Sequence, residues 1–220
     1  MKINRSVILA VAGVAGAVGV NQRFTTDLPT HQTVKHHHYT TYYDVLSHEA
    51  DSVSWDLTPA MVSCTDKPPR KDRFAEDPLI PDTRKVKDNY TGSDYDKGHL
   101  FSYEDASCDS IDRVECFYMS NMLPQPHYLN AGKWKTLEGL CRSWAQTKPI
   151  HIIAGGIGHV KLIGSGGVVV PAFCYKAVLI NGSYQCWKFP NDTKLGSNIS
   201  LDSCRISTAL LNQQTGLKLK

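Results

Sequence analysis

The sequence predicts an α+β domain built around a strand–loop–strand–helix unit, and three observations carry that prediction. Tyr95-Asp96-Lys97-Gly98-His99-Leu100 reads as the end of one strand, and Cys116-Phe117-Tyr118-Met119-Ser120 as a second, partly buried one. Beyond the punctuation of Pro124 and Pro126, Asn130 opens a helix. There Asn130, Trp134 and Glu138 recur at i, i+4 and i+8 and so share one broad face. The rest of the chain is β-rich, with strand patterns at 150–154, 168–170, 173–180 and 184–189.

In chain order, residues 1–20 begin with Lys2 and Arg5 and then run apolar from Val7 to Val20. Fourteen apolar residues are short for a membrane span and usual for a signal-peptide core, with Ala15-Gly16-Ala17 as a cleavage site. A secreted or periplasmic destination is expected. A mitochondrial presequence is the alternative, because no acidic residue precedes Asp27, and an uncleaved segment would act as a membrane anchor. Residues 21–50 are polar without a clear period and read as a linker or irregular arm, in which His36, His37 and His38 are expected to face solvent. From Val53, alternation with Trp55 and Leu57 signals a strand, with Met61 and Val62 following Pro59. The stretches 73–78 and 88–93 are loops by their Pro, Gly and Asn content. Ser102 to Asp112 is a turn-rich excursion, and its aspartates lack the glycine and terminal glutamate of a calcium loop.

Leu137, Leu140, Cys141 and Trp144 extend the apolar face of the Asn130 helix, which Lys148-Pro149 ends. Asn181-Gly182 between two strand patterns is a hairpin signal. Thr208–Thr215 reads as a short helix with Ser207 as N-cap and Gly216 past its end.

The 220 residues suit one domain, here 51–220, with length enough for a real core. A net charge of +3 permits a polyanionic partner without demanding one. Basic residues cluster at Lys67, Arg70, Lys71 and Arg73, and again at Arg84, Lys85 and Lys87. Seven cysteines without Cys-x-x-Cys or Cys/His spacing argue against a zinc finger, and the odd count leaves at least one thiol unpaired in a monomer.

The hallmark Asp96-Lys97-Gly98-His99, then Ser120-Asn121, Pro124-Gln125, and Asn130 with Trp134 and Glu138 behind it resembles the DNA/RNA non-specific endonuclease family. The spacings, 31 residues from His99 to Asn130 and 8 to Glu138, are like those of its endonuclease G branch. Val170-Pro171-Ala172-Phe173, Phe189-Pro190-Asn191 and Thr215-Gly216-Leu217 extend the likeness to roughly residues 50–217. The resemblance implies a ββα-metal (His-Me finger) core with a mixed or antiparallel sheet and flanking helices. It also implies a magnesium-dependent endonuclease acting on DNA and RNA, with manganese or another divalent ion as substitute and a homodimer as a possible assembly.

Roles follow on these positions. His99 is the expected general base, a group that titrates near neutral pH and activates water against a phosphodiester. Asn130 is the expected direct metal ligand, and Glu138 holds the metal through a water. Asn121 is expected to orient His99 or the phosphate, Lys97 and Arg73 to bind substrate, and Asp96 to position the loop. Lys97 departs from the family's arginine, keeping the charge but losing the planar fork that grips a phosphate bidentately. Trp134 is expected in the core, and His127, His151 and His159 in structural roles. Two rival readings are a nucleic-acid-binding relative with a damaged site and an exported nuclease toxin.

Overall fold

The computed structural model describes residues 30–65, 67–80, 89–195 and 199–220. The expected leader, the first part of the arm and the Arg84, Lys85, Lys87 cluster lie outside these residues.

The architecture is α+β, as expected. Seven antiparallel strands run in the order β1-β2-β3-β6-β9-β10-β11. They are β1 His31–Lys35, β2 Tyr39–Asp44, β3 Glu49–Leu57, β6 Ile150–Ile157, β9 Phe173–Ile180, β10 Ser183–Pro190 and β11 Arg205–Ile206. A two-stranded ribbon pairs β4 (Asp96–His99) with β5 (Met122–Gln125), and a second pairs β7 (Lys161–Ile163) with β8 (Val168–Val170). Asn181 and Gly182 both take positive φ, 53° and 81°, the type I′ geometry that matches the twist of the β9–β10 hairpin.

The helices are short: α1 Pro59–Ser63, α2 Tyr103–Ala106, α3 Asp112–Glu115, α4 Lys135–Trp144 and α5 Thr208–Thr215. The last is capped as expected, the Ser207 hydroxyl accepting from Leu210 N at 3.2 Å and Gly216 standing at φ 75°. A helical segment, Leu129–Trp134, precedes α4 and meets it across a kink at Gly132.

Two expectations are corrected here. The polar stretch 21–50 is not an irregular arm where it is described, since β1 and β2 form one edge of the main sheet. Tyr39, Thr41 and Tyr43 are buried at every second position, a period-2 pattern written in residues that read as polar but favour pleated surface. The second strand of the ribbon is not Cys116–Ser120 but Met122–Gln125, and Met119–Asn121 is a turn of 3₁₀ helix before it. Pro124 is tolerated in β5 because a two-stranded ribbon has free edges, where a missing N–H costs no ladder bond.

One main core gathers Trp55, Phe101, Phe117, Trp134, Trp187 and Phe189, all essentially sealed from solvent. A disulfide joins Cys64, just past α1, to Cys108, just past α2, and the other five cysteines are buried thiols.

Close packing decides one residue of the hallmark. A Cβ on Gly98 would stand 2.2 Å from Gln125 Oε1 and 2.5 Å from its Cδ, and the whole Gln125 side chain is buried. Gly98 therefore lets the strand carrying His99 lie against β5. Gly98→Ala is expected to cost about 1–3 kcal/mol, the usual range for overpacking. The measurement is urea unfolding, with a lower midpoint at unchanged slope.

Candidate active site

His99 ends β4, and the indole nitrogen of Trp134 donates to its carbonyl oxygen at 3.1 Å. That bond docks the Asn130–Glu138 segment against the ribbon. His99, Asn130 and Glu138 then line one cleft of about 230 Å³, together with Lys97, Arg70 and Arg142.

The His99 ring packs edge-on against Phe117, with centroids 5.1 Å apart, and lies tilted beside Phe74 at 5.7 Å. Its Nε2 is buried and makes no hydrogen bond among the described residues. Burial pushes the imidazole pKa down to about 3, with the nearby Arg70 charge adding to the effect. The ring is thus neutral at physiological pH, the form a base requires.

Asn130 is oriented by a carboxylate. Its Nδ2 donates to Asp96 Oδ2 at 2.9 Å, and the same oxygen receives His127 Nδ1 at 2.9 Å. An ionised carboxylate only accepts, so the amide nitrogen must face Asp96 and Oδ1 is left for a ligand. Asp96 therefore positions Asn130 directly, and His127 shares in holding it.

Glu138 is buried against Lys176, whose Nζ lies 3.7 Å from Oε1. Lys176 is itself almost completely buried in β9, with its ammonium over the Trp134 ring at 4.2 Å. Burial pushes the Glu138 carboxyl pKa up, and the Lys176 charge pulls it back. The paired cation opposes, without cancelling, the burial that favours the protonated form. An amide oxygen beside a carboxylate is the donor chemistry that a hard divalent cation with most of its waters accepts.

The cleft gathers most of the residues expected to act, but two stand elsewhere. Asn121 is sealed, its side chain exchanging bonds with Phe101 N and O at 2.9 Å each and donating to Cys116 O at 2.8 Å. It holds the backbone just past His99 and does not reach the ring or the cleft. Arg73 lines a neighbouring groove with Pro68, Lys71 and Arg113. The arginine of that basic cluster that does line the cleft is Arg70, clamped by Asp72 at 2.6 Å and stacked over Tyr103 at 5.4 Å. Lys97 stands where expected, its ammonium over Phe74 at 5.0 Å and Tyr90 at 5.6 Å.

Sequence reasoning missed Arg142 and Lys176. Arg142 donates to Asp105 Oδ1 at 3.1 Å, and its position four residues after Glu138, on the same helix face, was a readable signal. A lysine amid the apolar run of β9 was another, because a buried charge demands a partner.

The strand–strand–helix unit and its surrounding sheet define a ββα-metal fold. The chain superposes on one in "Crystal structure of the EndoG/EndoGI complex: Mechanism of EndoG inhibition" with a TM-score of 0.77. That likeness covers 85% of this chain and 84% of that one at 22% identity, and it is a likeness of fold. The family model described as DNA/RNA non-specific endonuclease matches residues 18–220, and the chain belongs to that family. It is 31% identical over 145 residues to a nuclease of Nostoc sp., covering 64% of this chain and 52% of that protein. It is 28% identical over 166 residues to the mitochondrial nuclease EXOG of Xenopus laevis, covering 66% and 46%. The chain spans about half the length of the curated relatives it matches.

The depressed His99 pKa has a signed consequence for stability. An unfolded chain protonates this imidazole below its ordinary value of 6.5, whereas the folded chain resists until about 3. The contribution is fully present above pH 6.5 and is lost as pH falls from there toward 3. The expected outcome in pH-resolved unfolding is that His99→Phe loses less stability than the parent across that window.

Proposed function

We propose that this protein is a magnesium-dependent endonuclease that hydrolyses phosphodiester bonds of DNA, and of RNA, with little sequence preference. The observation that carries this reading is the Asp96–Asn130 bond, which turns an amide oxygen toward the cleft that holds a neutral, buried His99. Its support from outside is membership of the family.

With Nε2 sealed, Nδ1 is the His99 nitrogen left to take a proton from the attacking water. Phe117 and Phe74 hold the ring in place while it does so. Arg70 and Lys97 bind the phosphate whose charge would otherwise repel that attack. Asn130 Oδ1 would hold magnesium, or manganese in its place, with Glu138 acting through water, and the bound ion would supply positive charge against the negative charge developing on the phosphorus and leaving oxygens. The Lys176 ammonium beside Glu138 favours the ionised form that this requires. Cleavage on this scheme leaves 5′-phosphate and 3′-hydroxyl ends. Because the cleft's cations contact phosphate, little base preference is expected. The clustering of His99, Asn130 and Glu138 in one cleft weighs against the damaged-site reading. Export through residues 1–20 rests on their sequence pattern, while the mitochondrial relatives support the alternative destination.

The test is digestion of plasmid and of RNA with magnesium and with EDTA. His99→Ala is expected to lose about 10²–10⁴-fold in rate while still binding nucleic acid. Asn130→Ala should lose activity that added magnesium partly restores. A His99→Ala protein that cuts as well as its parent at neutral pH would overturn the mechanism.

Lys97→Arg is expected to give equal or higher turnover with tighter apparent substrate affinity, because the guanidinium fork contacts phosphate bidentately. Steady-state kinetics on a folded variant decide it.

A further inference from the structure

The histidine run that no role in the cleft absorbs sits in the turn between β1 and β2. His36 faces inward, its Nε2 3.2 Å from Asp77 Oδ2, both side chains sealed. His37 and His38 instead reach α3, some 75 residues away in sequence, and converge on Asp112. His38 Nδ1 lies 2.6 Å from Oδ2 and His37 Nδ1 3.2 Å from Oδ1, so each carboxylate oxygen meets one imidazole through the same ring atom. Their donor atoms all lie within 4.8 Å of one another.

Three features make this more than a pair of surface hydrogen bonds. First, the Asp112 carboxylate is completely buried, and among the described residues its ion-pair partners are these two histidines and no lysine or arginine. Second, the turn is held in place independently of the imidazoles. His37 N donates to Glu115 Oε2 at 2.8 Å, and the Tyr39 hydroxyl donates to Glu115 O at 2.8 Å. Third, the two imidazoles remain about two-fifths exposed, which leaves a coordination position open to water.

We infer that His37, His38 and Asp112 form a binding site for a transition-metal dication of the zinc type, separate from the catalytic cleft and joining the β1–β2 turn to α3. Two imidazoles and one carboxylate are a set that zinc accepts with a water in the fourth place, whereas magnesium prefers oxygen donors. The cleft, with an amide oxygen and a carboxylate, has the opposite preference. The proton balance is simple. Each neutral imidazole turns its Nδ1 lone pair to the metal by carrying its proton on Nε2, and a charged one releases a proton to solvent. Occupancy ties the edge of the main sheet to the helix that leads into Met119–Asn121 and the ribbon, so the metal acts on stability.

The probe is zinc chloride titrated calorimetrically into EDTA-stripped, dialysed full-length protein, in excess magnesium so that the cleft is filled. The parent is expected to take up one zinc per chain and to unfold at a higher temperature with it. His37→Gln/His38→Gln is expected to lose both the zinc equivalent and the thermal shift, while Asn130→Ala and His31→Ala keep them. His38→Ala, at a half-exposed position, serves if the double variant does not fold, and should weaken binding at least tenfold. No uptake by the parent, or equal uptake by the His37/His38 or His38 variants, would overturn the inference, and so would loss in His31→Ala or Asn130→Ala alone. Nuclease activity is not the readout, so failure here and failure of the proposed reaction are distinguishable.

Discussion

The hydrogen bond from Trp134 to the carbonyl of His99 is the constraint on which the site depends. It joins the last residue of a short strand to a helical segment 35 residues later, and it is sealed inside the core. A buried indole N–H and a buried carbonyl each lose about 1–3 kcal/mol if left unpaired, so the two elements are held at one separation. Everything chemical in the cleft inherits that separation. Asn130 precedes Trp134 in the kinked Leu129–Trp134 segment and Glu138 follows it in α4, and both line the cleft with the imidazole. The Lys176 ammonium lies over the Trp134 indole, so the residue that docks the helical segment is also the floor under the cation paired with Glu138.

Charge around that floor is arranged in fixed pairs. Arg70 is anchored by Asp72, Arg142 by Asp105, Asn130 by Asp96 and Glu138 by Lys176. Each of these four groups is thus oriented by a partner behind it, and little reorganisation is needed when a polyanion arrives. Where the charges are buried, as at Glu138 and Lys176, the cost is offset only because they are matched.

How much of this was legible follows from which physics was local. The Asn181-Gly182 turn and the Ser207 cap are short-range facts, and each stands where its spacing placed it, whereas the single helix expected through Asn130, Trp134 and Glu138 is broken by the kink at Gly132. The first two strands were not legible, because Tyr39, Thr41 and Tyr43 bury their rings and methyl only once the rest of the sheet exists. The second ribbon strand was missed because Pro124 reads as punctuation, and only pairing with β4 shows that it sits on an edge. Among site residues, His99 and Asn130 carried their own signal, while Arg70 over Arg73 and Asn121 as a backbone clamp were decided by three-dimensional packing. Lys176 lay in plain view as a charge in an apolar strand, and its partner could come only from the fold.

The Cys64–Cys108 disulfide closes a covalent ring of chain, and Arg70, Lys97 and His99 all lie inside it. A protease that cuts once within this ring, for instance at the exposed Lys71 beside the cleft, does not release a fragment. Such a nicked molecule gains only the mass of one water and migrates as one species until a reductant separates the pieces. On a gel, cleavage within the ring is therefore visible only in reduced samples, and non-reducing electrophoresis overstates the share of uncut chains.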